Sequence, residues 1–572
     1  MQVGASSIGA AIFAKNPELA DALVEKAKSK NNAVDRSTGG PRIMPGDLTP
    51  QSNLKRPPKK NRPHTHKKKK IKTNKIQKQE PLNKPLQVIR SVSKQKDKNE
   101  NPTTSRQFKS MQMNRRLALL EAFNNMERSD GVDQNYSNID EISATTLDDL
   151  QRNFEEYITS ENARGEPFYI TVGFDFGTSS TKIVVNAPYG DGRSFAFLVP
   201  EFFQMNEHPH LWKCVLFQNQ STNTFSLAPT INSQQIKNLK TSLMSQPNKV
   251  LSRSEGSQLI AEHLCTAYVG LILRYLKGWI WKNFKSHFGP DPEDAKIIWE
   301  VNFGVPAATL DKTKDYLRFE KVFHSAWKIS EENTDVNAKT IDAAFLFSHV
   351  KKDELSNIVH LRPEVAAEAV GLLKSNLADF GTYVLIDIGA STLDICVFNY
   401  IDSEEIEKQV LFVSDVSLFG AECPRWVEKI NKEGPKKFSD DDLHLAIRES
   451  IGTPIVYTKK EKNPHSDAWS GTLPIIVAGG GRASELHRLQ LKAFKSDWLN
   501  GTDTKDVTFI DPAKPLNLET QCKSNEYHRL SVAWGLSINS LEFVKVDLPS
   551  SVPDQQKKSV DYSQNFISKD DV

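Results

Sequence analysis

The stretch GFDFGTSSTKIVV, Gly173 to Val185, decides how the chain folds. It begins as a buried strand, breaks into small hydroxyl residues and resumes as an apolar strand. An acid, Asp175, stands just before the break. A Gly-rich turn between two strands exposes backbone N–H groups in a concave array, and small side chains let phosphate oxygens approach it. One such turn is weak evidence. The stretch LIDIGASTLDICVF, Leu385 to Phe398, repeats the plan with Asp387 in the place of Asp175. Two turns of this kind, facing each other, would clamp a polyphosphate from both sides. Two carboxylates beside it call for a cation, and Mg²⁺ suits oxygen ligands and bound water.

The surrounding sequence divides by texture. The chain has 572 residues, a formal net charge of +3 and 38% hydrophobic residues, which is low for one compact globule. Residues 1–145 read as a basic arm, largely disordered, with short helices. Its segment Lys55–Lys78 is rich in Lys, Arg and Pro and cannot bury a core. Helical spacing appears within it at Pro17–Lys30 and at Asn114–Arg128, where an apolar stripe suits docking on the folded part or on a partner. From Thr145 a helix leads into a folded part that extends to about residue 547. There, apolar strands alternate with helical stretches, the order of an α/β protein. Residues 548–572 read as a disordered polar tail.

Several function classes find no support. The five cysteines lie apart with no CxxC pair, so neither a zinc site nor a disulfide framework is indicated, and a reducing cytoplasm is expected. No apolar run approaches the roughly 18 residues of a membrane span. The start of the chain lacks a basic n-region and a long apolar core, so no signal peptide is expected. The basic arm suits contact with nucleic acid or an acidic surface, but no aromatic residue is interleaved to stack on bases. His64 and His66 stand among lysines that repel metal cations. The aromatics at Trp279–Phe284 read as packing of a helix against its lobe, and Cys396 as filler on a buried strand.

From about Tyr169 to Phe543 the chain resembles the Hsp70/actin/sugar-kinase ATPase superfamily, and Hsp70-like nucleotide-binding domains most closely. GFDFGTSSTK resembles the first phosphate motif, LIDIGASTLDICVF the second and LPIIVAGGGRASEL the adenosine motif. WEVNFGVPAATL, LRPEVAAEAVGLL, SLFGAECPRWV and EYHRLSVAWGLSINS resemble the connecting segments, in family order. The resemblance implies a two-lobed RNase-H-like fold. Lobe I would run over about 167–384 plus a closing helix at 527–543, and lobe II over about 385–526.

It also implies roles. Asp175 and Asp387 would hold Mg²⁺ through waters. Gly177, Thr178, Ser179, Ser180 and Lys182 would meet the phosphates of ATP or ADP from one side. Gly389, Ala390, Ser391 and Thr392 would meet them from the other, with Gly420 of SLFGAECPRWV also in contact with the nucleotide. Glu364 matches the glutamate that orients the attacking water, with the Thr392 hydroxyl near it and Lys240 matching a phosphate-contacting lysine. Gly479, Gly480, Gly481 and Arg482 would lie along the nucleoside, and Arg448 and Thr453 would clamp it.

The departures are specific. Gly-Ala-Ser replaces the triple glycine of the second phosphate turn, and Val365 stands where the family has proline after Glu364. The stretch between Cys423 and Ile475 is short for a nucleotide-clamping subdomain. The stretch between Pro306 and Glu364 is long and implies an insertion. No β-sandwich substrate-binding domain is expected after the closing helix. The implied function is a weak ATPase that switches binding to a protein partner. An actin-like filament protein and a small-molecule kinase are the alternatives, and ATP-dependent pelleting or substrate-dependent ADP release would separate them.

Overall fold

The computed structural model describes residues 115–123, 132–136, 141–160, 165–190, 192–254, 256–373, 379–403, 406–435, 437–497 and 506–554. The basic run at Lys55–Lys78, the helix expected at Pro17–Lys30, the His64/His66 pair and residues 555–572 lie outside them.

The folded part is an α/β protein with two lobes, each built on a mixed sheet of one and the same plan. In lobe I the strands are β1 (Glu166–Phe176), β2 (Ser180–Asn186), β3 (Ser194–Ala196), β4 (Ala295–Val305) and β5 (Val359–Pro363). Their order across the sheet is β5-β4-β1-β2-β3. The first three run antiparallel as consecutive hairpins, whereas β4 and β5 add parallel to β1. In lobe II the strands are β6 (Gly381–Ile388), β7 (Leu393–Ser403), β8 (Ile406–Ser417), β9 (Thr472–Ala478) and β10 (Asp506–Ile510). Their order is β10-β9-β6-β7-β8, with the same pattern of directions. Each lobe is thus a βββαβαβα-like unit. Each sheet also takes one short parallel edge strand from the last part of the chain, Leu518–Glu519 on β3 and Lys545–Asp547 on β8.

The helices follow from the parallel crossovers, which need connections of a dozen residues or more. In lobe I, α1 (Glu141–Ser160) and α2 (Ala261–Phe288) pack on each other. The middle of α2 is apolar all round and buried all round, as a helix between layers must be. Two of its cations are buried as well. Arg274 Nε and Lys277 Nζ donate to the carbonyls of Ile329 and Ser330, which end the helix Thr313–Ile329. They satisfy acceptors that the helix leaves open, and their charge suits the negative end of its dipole. The Trp279–Phe284 aromatics pack inward as expected, with Phe284 fully buried and Trp281 edge-on to Tyr157. The insertion expected between Pro306 and Glu364 forms the helices Thr313–Ile329 and Ala338–Val350, the second opened by an Asn337–Thr340 capping box.

Helix α3 (Glu364–Leu373) leaves lobe I after β5 and leads to β6 of lobe II. Lobe II adds α4 (Cys423–Glu433) and α5 (Asp440–Tyr457). The described residues between Cys423 and Gly471 contain helices and no strand, in keeping with a small subdomain there. The closing helix is shorter than the sequence implies. A 3-10 stretch, Ser524–Arg529, precedes α6, which spans only Ser531–Leu536. Helices α3 and α6 cross at the junction of the lobes. A Cβ at Gly535 would stand 2.0 Å from the Ala367 carbonyl oxygen, and one at Gly173 would stand 2.0 Å from that of Ala533. Backbone approach this close requires glycine, because any side chain would force the helices apart.

Two segments outside the expected folded part pack on the lobes, one the helix expected within Asn114–Arg128 and the other from the stretch read as a polar tail. Residues 115–123 form a helix whose Leu119 and Phe123 are fully buried in the core of lobe II. Residues 548–554 lie along the protein, with Leu548 and Val552 against apolar clusters and Ser550 bonded to Asp311.

Candidate functional site

Both hairpins read from the sequence are present, and in the same register. In the first, Asp175 pairs across the ladder with Lys182, and Gly177–Ser179 make the turn between β1 and β2. In the second, Asp387 pairs with Asp394, and Gly389–Thr392 make the turn between β6 and β7. Each turn thus follows the first strand of its lobe, and both line one cleft between the lobes. The third wall is the Gly479–Gly481 loop after β9. Gly481 N–H donates to the Ile388 carbonyl at 2.7 Å, which fixes the loop to the end of β6. Gly479 has φ +83°, and a Cβ there would stand 2.1 Å from Asp387 Oδ1, so conformation and space both demand glycine.

The floor of the cleft is crowded with charge. Lys182 Nζ lies 2.9 Å from Asp175 Oδ2, and Lys240 Nζ donates to Glu364 Oε1 at 2.5 Å. Asp387, Asp394 and Glu368 share the space. Two ammonium groups therefore face five carboxyl groups. Burial pushes the Glu364 carboxyl above its ordinary value, with Lys240 opposing. Burial works against the charge on Lys240 too, yet Glu364 and Asp175 outweigh it and hold the ammonium above its ordinary value. Burial, then Glu364 and Asp175, raises Asp387 to about 6. Burial, then Asp387, raises Glu368 to about 8, and the same causes drive Asp394 well above the carboxylate range. A cross-strand pair of like charges such as Asp387–Asp394 is unfavourable unless a proton or a cation intervenes.

The residues fit a cation. Asp387 Oδ1 and Glu368 Oε1 are buried and have no hydrogen-bond partner. Among the described residues no three His, Cys, Asp or Glu side chains converge closely enough to form a metal cage. Separated carboxylates of this kind suit an ion that keeps several of its waters, as Mg²⁺ does.

Of the residues singled out in the sequence, Asp175, Gly177, Thr178, Ser179, Ser180, Lys182, Lys240 and Glu364 line the cleft from lobe I and α3. Asp387, Gly389, Ala390, Thr392 and Gly479–Gly481 line it from lobe II. Five others stand back from it. Ser391 is buried under its own turn, and Gly420 lies beneath, where a Cβ would stand 2.5 Å from the Ala390 carbonyl oxygen. Gly420 begins a cradle, because the N–H groups of Ala421 and Glu422 donate to the carbonyls of Gly389 and Ala390. Arg482 turns outward to Asp511 and the Asn525 carbonyl, and the guanidinium over Gly480 belongs to Arg529. Arg448 and Thr453, on α5, do not line the cleft.

Several lining groups were not anticipated, and three of them are polar groups at notable positions. Asn206, at φ 53°, sits in a kink of the loop after β3. Arg529 enters from the closing segment. Glu368 is 1% exposed and accepts a hydrogen bond from Ser531 Oγ at 2.7 Å. Its spacing of four from Glu364 places both on one helical face and was the signal available.

Glu368 makes stability depend on pH with a definite sign. The folded chain keeps its proton up to about 8, whereas the unfolded chain releases it near the ordinary value. The folded state then binds more protons, so stability is lost as pH rises through this window. Burial lowers the histidine values, as for His210 and His528 at about 4, so around neutral pH the unfolded chain binds the more protons on histidine, and that contribution runs opposite to the one from Glu368. In metal-free protein the Tm of Glu368→Gln should therefore gain on that of the wild type as pH rises from about 6.5 to about 8, because the histidine contribution is common to both. Parallel slopes in the two proteins would contradict the assignment.

No protein-family model matches the chain, and no curated protein matches it.

Proposed function

We propose that the protein is an Hsp70-like, ATP-binding nucleotide switch with a two-lobed RNase-H-like fold of the Hsp70/actin/sugar-kinase type. One observation carries this reading. The same acid-bearing hairpin occupies the same topological position in two sheets of like order, and both hairpins open on one cleft.

Within this reading each side chain has work to do. Asp175 and Asp387 are the groups that would hold Mg²⁺ through its waters. That ion would supply charge neutralisation at the phosphates. The turns Gly177–Ser180 and Gly389–Thr392 present backbone N–H groups and hydroxyls toward the polyphosphate. Lys182 and Lys240 add positive charge, which in-line phosphoryl transfer to water needs more than covalent help. Lys240 also opposes protonation of Glu364 and aims it, so that its free oxygen can orient water and accept its proton. ATP closing the lobes and ADP releasing them would turn the α3–α6 crossing into a hinge. The output would be a nucleotide-dependent change in affinity for a protein partner.

The test is Glu364→Ala, with melting temperature and single-turnover hydrolysis measured on the same preparation. Hydrolysis should slow on the order of tenfold or more while ATP affinity changes little, the pattern of a lost positioned base. Unchanged hydrolysis in a folded, ATP-saturated variant would remove Glu364 from the mechanism.

A further inference from the structure

Among the described residues, three Lys and Arg side chains line the cleft, and two of them are already engaged. Lys182 stands against Asp175 and Lys240 against Glu364. The third is Arg529. Among the described residues its guanidinium makes neither a hydrogen bond nor an ion pair. Six carboxyl groups line the same cleft, and none of them pairs with it. A partly buried cation left without an acid gains the fold little, and such a departure from pairing marks a residue kept for an anion from outside.

The chain holds Arg529 at the cleft from a braced backbone. The residue ends the 3-10 stretch Ser524–Arg529, which the Lys523 N–H opens by donating to Glu526 Oε2 at 3.3 Å. Arg482 braces this stretch against lobe II. Its Nη1 holds Asp511 at 2.8 Å, and its Nη2 donates to the Asn525 carbonyl at 3.4 Å. His528 Nδ1–H donates to the same carbonyl at 3.0 Å. Beyond Arg529 the chain enters α6, which packs on α3 and on β1, β2 and β4. A Cβ at Gly480 would stand 3.4 Å from Arg529 Nη1, so the guanidinium rests on the Gly479–Gly481 loop.

We propose that Arg529 binds the nucleotide through an oxygen of the phosphate next to the nucleoside. The inference rests on the nucleotide reading given above. In that reading the turns Gly177–Ser180 and Gly389–Thr392 take the outer phosphates, and the Gly479–Gly481 loop lies along the nucleoside. A cation resting on that loop meets the innermost phosphate. The guanidinium presents paired N–H donors in a fixed fork, which matches two phosphate oxygens. Lys182 and Lys240 share their charge with carboxylates, whereas the charge of Arg529 is undivided. Arg482 acts one step back, as the brace of the stretch that ends in Arg529.

The experiment titrates ATP and ADP, each with Mg²⁺, into the full chain and its Arg529 variants over a range of salt concentrations. Arg529→Gln should weaken ATP and ADP equally, on the order of tenfold, as for loss of one charge-assisted contact. Its affinity should also depend less steeply on salt. Arg529→Lys keeps the charge without the fork, so it should retain the wild-type salt dependence and recover part of the affinity. Without nucleotide, the Tm of Arg529→Gln should match that of the wild type, because the side chain has no partner in the fold to lose. A lower Tm would make Arg529 a structural residue and overturn the inference. A loss confined to ATP would move the contact to the outermost phosphate and overturn the placement. Weaker binding with an unchanged salt dependence would put the guanidinium on the base and overturn the phosphate assignment. Wild-type affinity in Arg529→Gln would overturn the inference and leave the nucleotide reading standing, whereas a wild-type chain that binds neither nucleotide would overturn both.

Discussion

Lys240→Met should cost about 3 kcal/mol or more of stability at neutral pH, the penalty for stripping one partner from a buried ion pair. Lys240 and Glu364 lie 2.5 Å apart, exposed by 6% and 9%. Glu364 then has two outcomes, to stay charged and unpaired or to take up a proton. The second is easier at low pH, so the loss should shrink as pH falls through the acid range. The double variant Lys240→Met/Glu364→Gln removes both charges and should recover much of the stability, although any hydrolysis should remain lost. Urea unfolding of the four proteins of this cycle measures the coupling directly. A single variant as stable as the wild type would show that the pair does not hold the cleft together.

Asp387→Asn should move stability and ligand response in opposite directions. In metal-free protein the change relieves the charge that Asp387 shares with Asp394, Glu364 and Asp175. Its Tm should therefore be at or above that of the wild type. The rise in Tm expected of the wild type with Mg²⁺ and ATP should nearly vanish, with affinity weakened on the order of 100-fold, as for loss of an outer-sphere metal contact. Stability withheld at a site in this way is the usual sign of function. A variant that is less stable without metal and responds normally to Mg²⁺ would show Asp387 to be structural.

Much of this arrangement was legible in the sequence because two strong local signals coincide. Apolar strands broken by Asp-x-Gly turns appear twice, at Asp175 and at Asp387, and glycine is demanded where backbone or carboxylate comes close. That placed both hairpins, both acids and the Gly479–Gly481 loop. Lys240 and Glu364 stand 124 residues apart in sequence, and only the resemblance brought them together. Other features had a weak local signature or none. A polar residue in an apolar helix, such as Glu368, reads as an exposed position until the helix is seen to be buried on every side. Asn206 takes a left-handed conformation without a glycine to announce it. Arg482 could not be told from Arg529 by sequence, and an ion pair with Asp511 draws the first one away from the cleft. Residues 548–554 carry few apolar groups, whereas residues 115–123 show an apolar stripe that names no particular pocket. Their docking follows from pockets made by distant parts of the chain, which composition does not record.

The central claim is that the cleft between Asp175 and Asp387 is a binding site for ATP with Mg²⁺. Calorimetric titration of ATP into the full chain tests it most directly, with Mg²⁺ present and then with a chelator in its place. The account predicts saturable binding of one ATP per chain that needs Mg²⁺ and is lost in Asp175→Asn. A folded wild-type protein that takes up no ATP at millimolar concentration, or that binds equally well in the chelator, would contradict it.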